Sequence, residues 1–232
     1  MVRTTRVRTM MMPRLGLALF LMLGFLSGQA FAQSGEDRGA PMGRFDFYVL
    51  SLSWSPSFCE SGGGRRSRKQ CEIDRNPGFV VHGLWPQYER GFPSYCRPDG
   101  RGASQNAMDI GTRVFPDPSL ARYQWQKHGS CSGESPAGYF TAAGAARARI
   151  AIPKQFNEPT QTIRTTTIEI ERAFAVANPG LRPDMMAVAC KRGGVLEEVR
   201  ICMTRDLRQF RPCDEVSRQA CRTREITVPS AR

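Results

Sequence analysis

Only two histidines occur in 232 residues, and both stand in distinctive company. His82 opens the run His82-Gly83-Leu84-Trp85-Pro86, and His128 lies in Trp125-Gln126-Lys127-His128-Gly129-Ser130-Cys131. Each has a glycine next to it and a tryptophan three positions away. An imidazole exchanges its proton near neutrality, so two of them flanking a scissile phosphate supply a general base and a general acid without a metal. The competing reading is a pair of buried, hydrogen-bonded structural histidines. The Trp and Gly settings, on a basic chain, favour the chemical reading.

That basicity is marked: 33 Lys and Arg against 21 Asp and Glu give a net charge of +12. A surplus of this size points to a polyanionic partner such as nucleic acid, an acidic membrane surface or an acidic glycan. With 41% hydrophobic and 23% charged residues, the chain is of ordinary globular composition, which excludes collagen-like and wholly disordered classes. Four of the arginines (Arg3, Arg6, Arg8 and Arg14) precede a short apolar run from Leu15 to Leu26 and an Ala30-Phe31-Ala32 cleavage pattern. Residues 1–32 therefore read as a cleaved secretory signal peptide, the run being short for a membrane span. No later segment is apolar enough to cross a bilayer, so the expectation is a secreted or periplasmic protein without stable membrane association after cleavage.

Eight cysteines suit that compartment: Cys59, Cys71, Cys96, Cys131, Cys190, Cys202, Cys213 and Cys221. An even count in an exported chain reads as disulfides, whose connectivity spacing alone leaves open. Zinc is disfavoured because no C-x-x-C pair exists and neither histidine has cysteines at finger spacing.

The elements that must position the two histidines follow from pattern. Gln33 to Gly43 is polar and Gly-rich, a flexible N-terminal arm. Phe45 to Trp54 is dense in β-formers and stops at Ser55-Pro56. Gly78 to Val81 is a short buried strand leading into His82, and Arg90 to Ser119 reads as loop and turn. Helices are expected from Pro118 to Lys127, from Ser135-Pro136 to a stop at Pro153, and from Thr166, where Glu169 completes a capping box, to Asn178. Met185–Cys190 and Val195–Met203 flank Gly193-Gly194 as a hairpin. The expected fold is α+β: a single domain with a central, mainly antiparallel sheet, packed helices and disulfide stabilisation. Trp54, Phe45 and Phe47 are expected in its core.

The two histidine segments, Phe79–Pro86 (FVVHGLWP) and Trp125–Cys131 (WQKHGSC), resemble the two active-site segments of the ribonuclease T2 family. The resemblance runs from about Phe45 to Cys221. It implies a secreted, metal-independent, cofactor-free endoribonuclease of low base specificity, with residues 44–232 as the catalytic domain. RNA is the implied partner, and the chain is expected to be a monomer. Carried over by position, His82 and His128 match the acid–base pair, Lys127 the lysine that stabilises the pentacoordinate phosphorane, and Trp85 an aromatic that stacks on a base. The family layout also implies the pairs Cys96–Cys131, Cys59–Cys71, Cys190–Cys221 and Cys202–Cys213.

Three positions depart from the family pattern. Where the second segment usually begins His-Glu, this chain has Tyr123 and Gln124. Gln can hydrogen-bond a phosphoryl oxygen, yet it cannot shuttle a proton or hold negative charge. On a helix Gln124 shares a face with Lys127 and His128. Gln87 stands where some members carry an acidic base-binding residue. The expected site is thus His82, His128, Lys127 and Gln124 for catalysis, with Trp85, Tyr123 and Gln87 contacting substrate. A weakly active or non-catalytic RNA-binding relative is the alternative, because of residues 123 and 124. A cationic membrane-active module would need an amphipathic basic helix, and none is evident. The cluster Arg65, Arg66, Arg68 and Lys69 is either a solvated loop or a phosphate contact.

Overall fold

A computed structural model describes residues 1–2, 35–65, 67–72, 78–97, 102–157 and 159–231. The chain divides into two units, Met1–Gln33 and Ser34–Arg232, and every element described lies in the second. The leader at 1–32, save its first two residues, and Arg66 of the basic cluster fall outside the described residues. Among those residues no helix is long and apolar enough to cross a membrane.

Strand β2 (Phe47–Trp54) organises the domain, with both edges paired antiparallel, to β3 (Phe79–Gln87) on one side and to β7 (Val195–Met203) on the other. The sheet continues through β8 (Ile226–Val228) to β5 (Ile163–Thr165), while β6 (Met186–Lys191) forms the expected hairpin with β7. Gly193 and Gly194 take φ of 83° and 76° at its turn, a backbone that favours glycine. β2 is also covered on both faces. Tyr48, Leu50, Leu52 and Trp54 enter the main core, and Phe47 and Val49 join Ala187 and Cys202 on the opposite face. Phe45, Phe47 and Trp54 are all buried.

The helices are α1 (Ser55–Glu60), α2 (Gln105–Val114), α3 (Pro118–Lys127), α4 (Pro136–Ala148), α5 (Thr167–Ala177) and α6 (Asp214–Ser217). Buried residues of α2 to α5 pack into the main core, while Val216 of α6 joins the cluster on the opposite face. Side chains cap four of them: Ser104, Asp117, Ser135 and Thr166 accept from backbone N–H groups of the first turn, and Glu169 completes a capping box on α5. Trp54, Phe79, Phe156 and Phe174 pack edge-on and stacked beneath them. Four disulfides join Cys59 to Cys71, Cys96 to Cys131, Cys190 to Cys221 and Cys202 to Cys213.

Two expectations need correction. The span Arg90–Ser119, read as loop, contains β4 (Phe92–Ser94) and α2. Its Gly and Pro residues mask a helix whose Ala107, Met108 and Gly111 face the core, where Gly111 lets the Phe140 ring approach. The arm at 33–43, read as flexible, is tied down from Glu36 onward. Glu36–Arg38 forms β1, parallel to β4, and Gly43 donates to the Cys131 carbonyl at 2.9 Å. Main-chain bonds and the burial of Ala40 on the Cys96–Cys131 disulfide hold it, so its side-chain composition gives little warning.

Candidate active site

His82 owes its orientation to an irregularity. Ser51 pairs with Gly83 and Leu52 pairs with Val81, which leaves His82 as the extra residue of a β-bulge. In an unbroken strand residues 82 and 85 would point to opposite faces. The bulge re-aims the imidazole to the side of Trp85, and the ring centroids lie 5.4 Å apart. Gly83 is equally constrained. A Cβ there would sit 2.0 Å from Trp85 Nε1 and 2.4 Å from Gln124 Oε1, and those two atoms share a 2.8 Å hydrogen bond. Glycine keeps open the space in which the indole is pinned.

His128 is the C-cap of α3, its N–H donating to the Gln124 carbonyl at 3.0 Å. At Gly129 a Cβ would meet the Trp125 and Tyr139 rings at 2.7 Å, so the chain turns against the core only with glycine there. The turn is fastened to the segment after β4. Tyr95 N donates to the Lys127 carbonyl at 2.8 Å, Cys96 N donates to Ser130 Oγ at 3.1 Å, and the Cys96–Cys131 disulfide closes the join. The His128 ring lies 5.3 Å from Trp85 and 6.1 Å from Phe92. Only 7% of His128 is exposed, and its Nδ1 has no hydrogen-bond partner. Burial, then the positive charge of Lys127, then His82 hold its pKa at about 3, so the ring is neutral at physiological pH.

The carboxylate touching His82 comes from β7, a strand expected from the sequence but not expected to contribute to the site. Glu198 of β7 is 3% exposed and accepts from His82 Nδ1 at 2.8 Å and from Ser51 Oγ at 2.7 Å on one oxygen. Arg200 occupies the other oxygen, from Nε at 2.7 Å and Nη2 at 2.5 Å. Burial by itself would raise the carboxyl pKa, but His82, Arg200 and Ser51 outweigh it and hold it at about 2. The available signal was alternation. Glu198 and Arg200 share the face of buried Cys202, where a solvated pair is not expected.

The seven residues expected to form the site all line one cavity of about 350 Å³, together with Phe92 and Arg200. Lys127 Nζ faces this cavity 5.7 Å from the Phe92 ring centre and 4.0 Å from Glu36, so the arm reaches the site. Gln124 is spent on Trp85. Gln87 Nε2 donates to the Gly91 carbonyl at 3.0 Å, bracing the turn after β3. Tyr123 is exposed and, with His82, also borders a second cavity of about 520 Å³ lined by Ser53, Phe58, Ser67 and Lys191. Ser67, inside the basic cluster, donates to Asp117 at 3.0 Å and so ties that loop to α3. Among the described residues no group of three or more His, Cys, Asp or Glu side chains is placed to hold a metal ion.

An α+β domain thus brings two imidazoles, a lysine and an indole around one cleft. The sequence profile of the Ribonuclease T2 family matches residues 45–213. A ribonuclease of Aeromonas hydrophila is 30% identical over 192 residues, covering 81% of this chain and 85% of that protein. Ribonuclease I of Escherichia coli K12 is 27% identical over 158 residues, 51% of this chain and 58% of its own. The RNase-related protein from Calystegia sepium has a similar fold, with a TM-score of 0.62 at 22% identity over 81% of this chain and 98% of that one. RNase NT in complex with 5′-AMP gives 0.58 at 21% identity over 80% and 98%. The chain belongs to the ribonuclease T2 family, and that membership supports endoribonuclease activity.

Proposed function

We propose that this protein cleaves single-stranded RNA by transesterification, with no metal or cofactor. His128 takes the proton of the ribose 2′-OH, the 2′-oxygen attacks the adjacent phosphorus in line, and His82 protonates the departing 5′-oxygen. The P–O5′ bond breaks as the P–O2′ bond forms, leaving a 2′,3′-cyclic phosphate and a 5′-OH. Two environments that differ this much support the division of labour. His128 is unprotonated in the resting site, as a general base must be. His82 rests on an anionic carboxylate through Nδ1, which leaves Nε2 to deliver one. Lys127 answers the charge gathering on the phosphorane, and Trp85, fixed by Gln124, offers a stacking face to a base. DNA binds but survives, because it lacks the nucleophile.

The observation that carries this reading is that both imidazoles pack on one indole, 5.4 and 5.3 Å away, along a cavity that also holds Lys127. Residues 1–32 serve in it as a leader removed on export, which the paired state of all eight cysteines supports. The test is RNA digestion in EDTA with end-group analysis. Cyclic phosphate ends are expected, and His82→Ala and His128→Ala each lose at least ~10² in rate. A near-parental rate for either variant, or a strict need for a divalent ion, refutes the assignment.

A further inference from the structure

We propose that Glu198 is a positioning residue for His82, its carboxylate fixing the tautomer and aim of the imidazole from β7 and supplying the negative charge that the second motif lacks at position 124. The proposal rests on the ribonuclease reading above. Among the described residues Glu198 is the carboxylate that touches either site imidazole, and it comes from neither motif.

Its surroundings are built for the task. A carboxylate that is 97% hidden loses its hydration, and four donors replace it: Ser51 Oγ and His82 Nδ1 on one oxygen, Arg200 Nε and Nη2 on the other. Arg200 is itself steadied by Gln219 Oε1 at 3.1 Å. The same sheet face also carries the apolar cluster of Phe47, Val49, Ala187 and Cys202. A hydrophobic side chain would fill such a position at no electrostatic cost, so a buried ion pair here answers to something other than stability. Gln124, meanwhile, has its oxygen committed to Trp85 Nε1 at 2.8 Å. In this chain the carboxylate at the site therefore sits on the strand beside His82, not on the helix that carries His128.

Position decides what it does. Accepting from Nδ1, the carboxylate makes that nitrogen the protonated one in the neutral ring and turns Nε2 toward the cleft. It also offsets the charge of the doubly protonated ring, the form a general acid needs. The other ionisable groups lining the two cavities with His82 are Arg200 of β7, Glu197 and Lys191 in the larger, Lys127 and His128 in the smaller, and Tyr123 in both. None of these is within hydrogen-bond reach of its ring, whereas Glu198 is.

The experiment compares parent, Glu198→Gln and Glu198→Asp in steady-state cleavage of a short RNA across pH, with melting curves to check folding. Gln at 198 is expected to lower kcat by roughly 10–100-fold with KM little changed, and to move the alkaline limb of the profile down. Asp keeps the charge and recovers part of the rate and the limb position. A Gln variant with parental kcat and an unmoved limb overturns the proposal while leaving the ribonuclease reading in place; an inert parent chain refutes that reading instead. Should the Gln variant not fold, Ser51→Ala carries the test. Loss of that donor is expected to lower kcat at least twofold, and an unchanged kcat overturns the proposal.

Discussion

The burial of His128 makes one quantitative prediction that links stability to catalysis. In the folded chain this ring takes up a proton only below about pH 3, whereas an unfolded chain protonates it at the ordinary 6.5. Between those values the unfolded state binds more protons, so its share of the stability is complete above 6.5 and is lost as pH falls toward 3. From pH 7 to pH 5 the shift from 6.5 to about 3 amounts to about 2 kcal/mol from this residue alone. Urea unfolding of parent and His128→Asn at both pH values, disulfides intact, measures it. The parent is expected to lose about 2 kcal/mol more than the variant over that interval. The same neutral ring sets the acidic limb of kcat/KM far below 6.5, in a range where the parent must first be shown to be folded. Parallel losses of stability in the two proteins, together with an acidic limb near 6.5, would refute the reasoning.

Two further outcomes follow from the packing around Trp85. Gly83→Ala places a methyl group 2.0 Å from Trp85 Nε1 and 2.4 Å from Gln124 Oε1, both held by tight neighbours. It is expected to cost about 1–3 kcal/mol in melting experiments and to lower cleavage at least tenfold, through loss of the indole's position. Gln124→Glu keeps an acceptor for Trp85 and adds an anion one helical turn from His128, opposing Lys127. The acidic limb is expected to move up without loss of maximal rate, and an unmoved limb would show that residue 124 does not couple to His128.

What the sequence conveyed and what it hid divide along the range of the interactions involved. Helices α3, α4 and α5 could be read because Pro118, Ser135-Pro136 and the Thr166/Glu169 box are local signals within one turn. The β6–β7 hairpin could be read from adjacent glycines. Helix α2 was missed because its buried stripe is made of Ala, Met and Gly among turn-forming residues. Strand β1 was missed because main-chain bonds to β4 hold it. The two motifs located the imidazoles, and the disulfide pairs came with the family layout rather than from spacing. Glu198 escaped because its meaning lies in three strands at once: Ser51 on β2, His82 on β3 and itself on β7. No window along the chain contains that triplet.

The bulge at His82 has a consequence for how sequences of this kind are compared. Aim is conferred on the imidazole by the neighbouring strand's ladder rather than by the letters around it. A one-residue insertion or deletion near Ser51 could restore a regular ladder, rotate the ring to the far side of the sheet, and leave the string VHGLWP untouched. Two chains can therefore share that string letter for letter while one of them carries its histidine facing the wrong way.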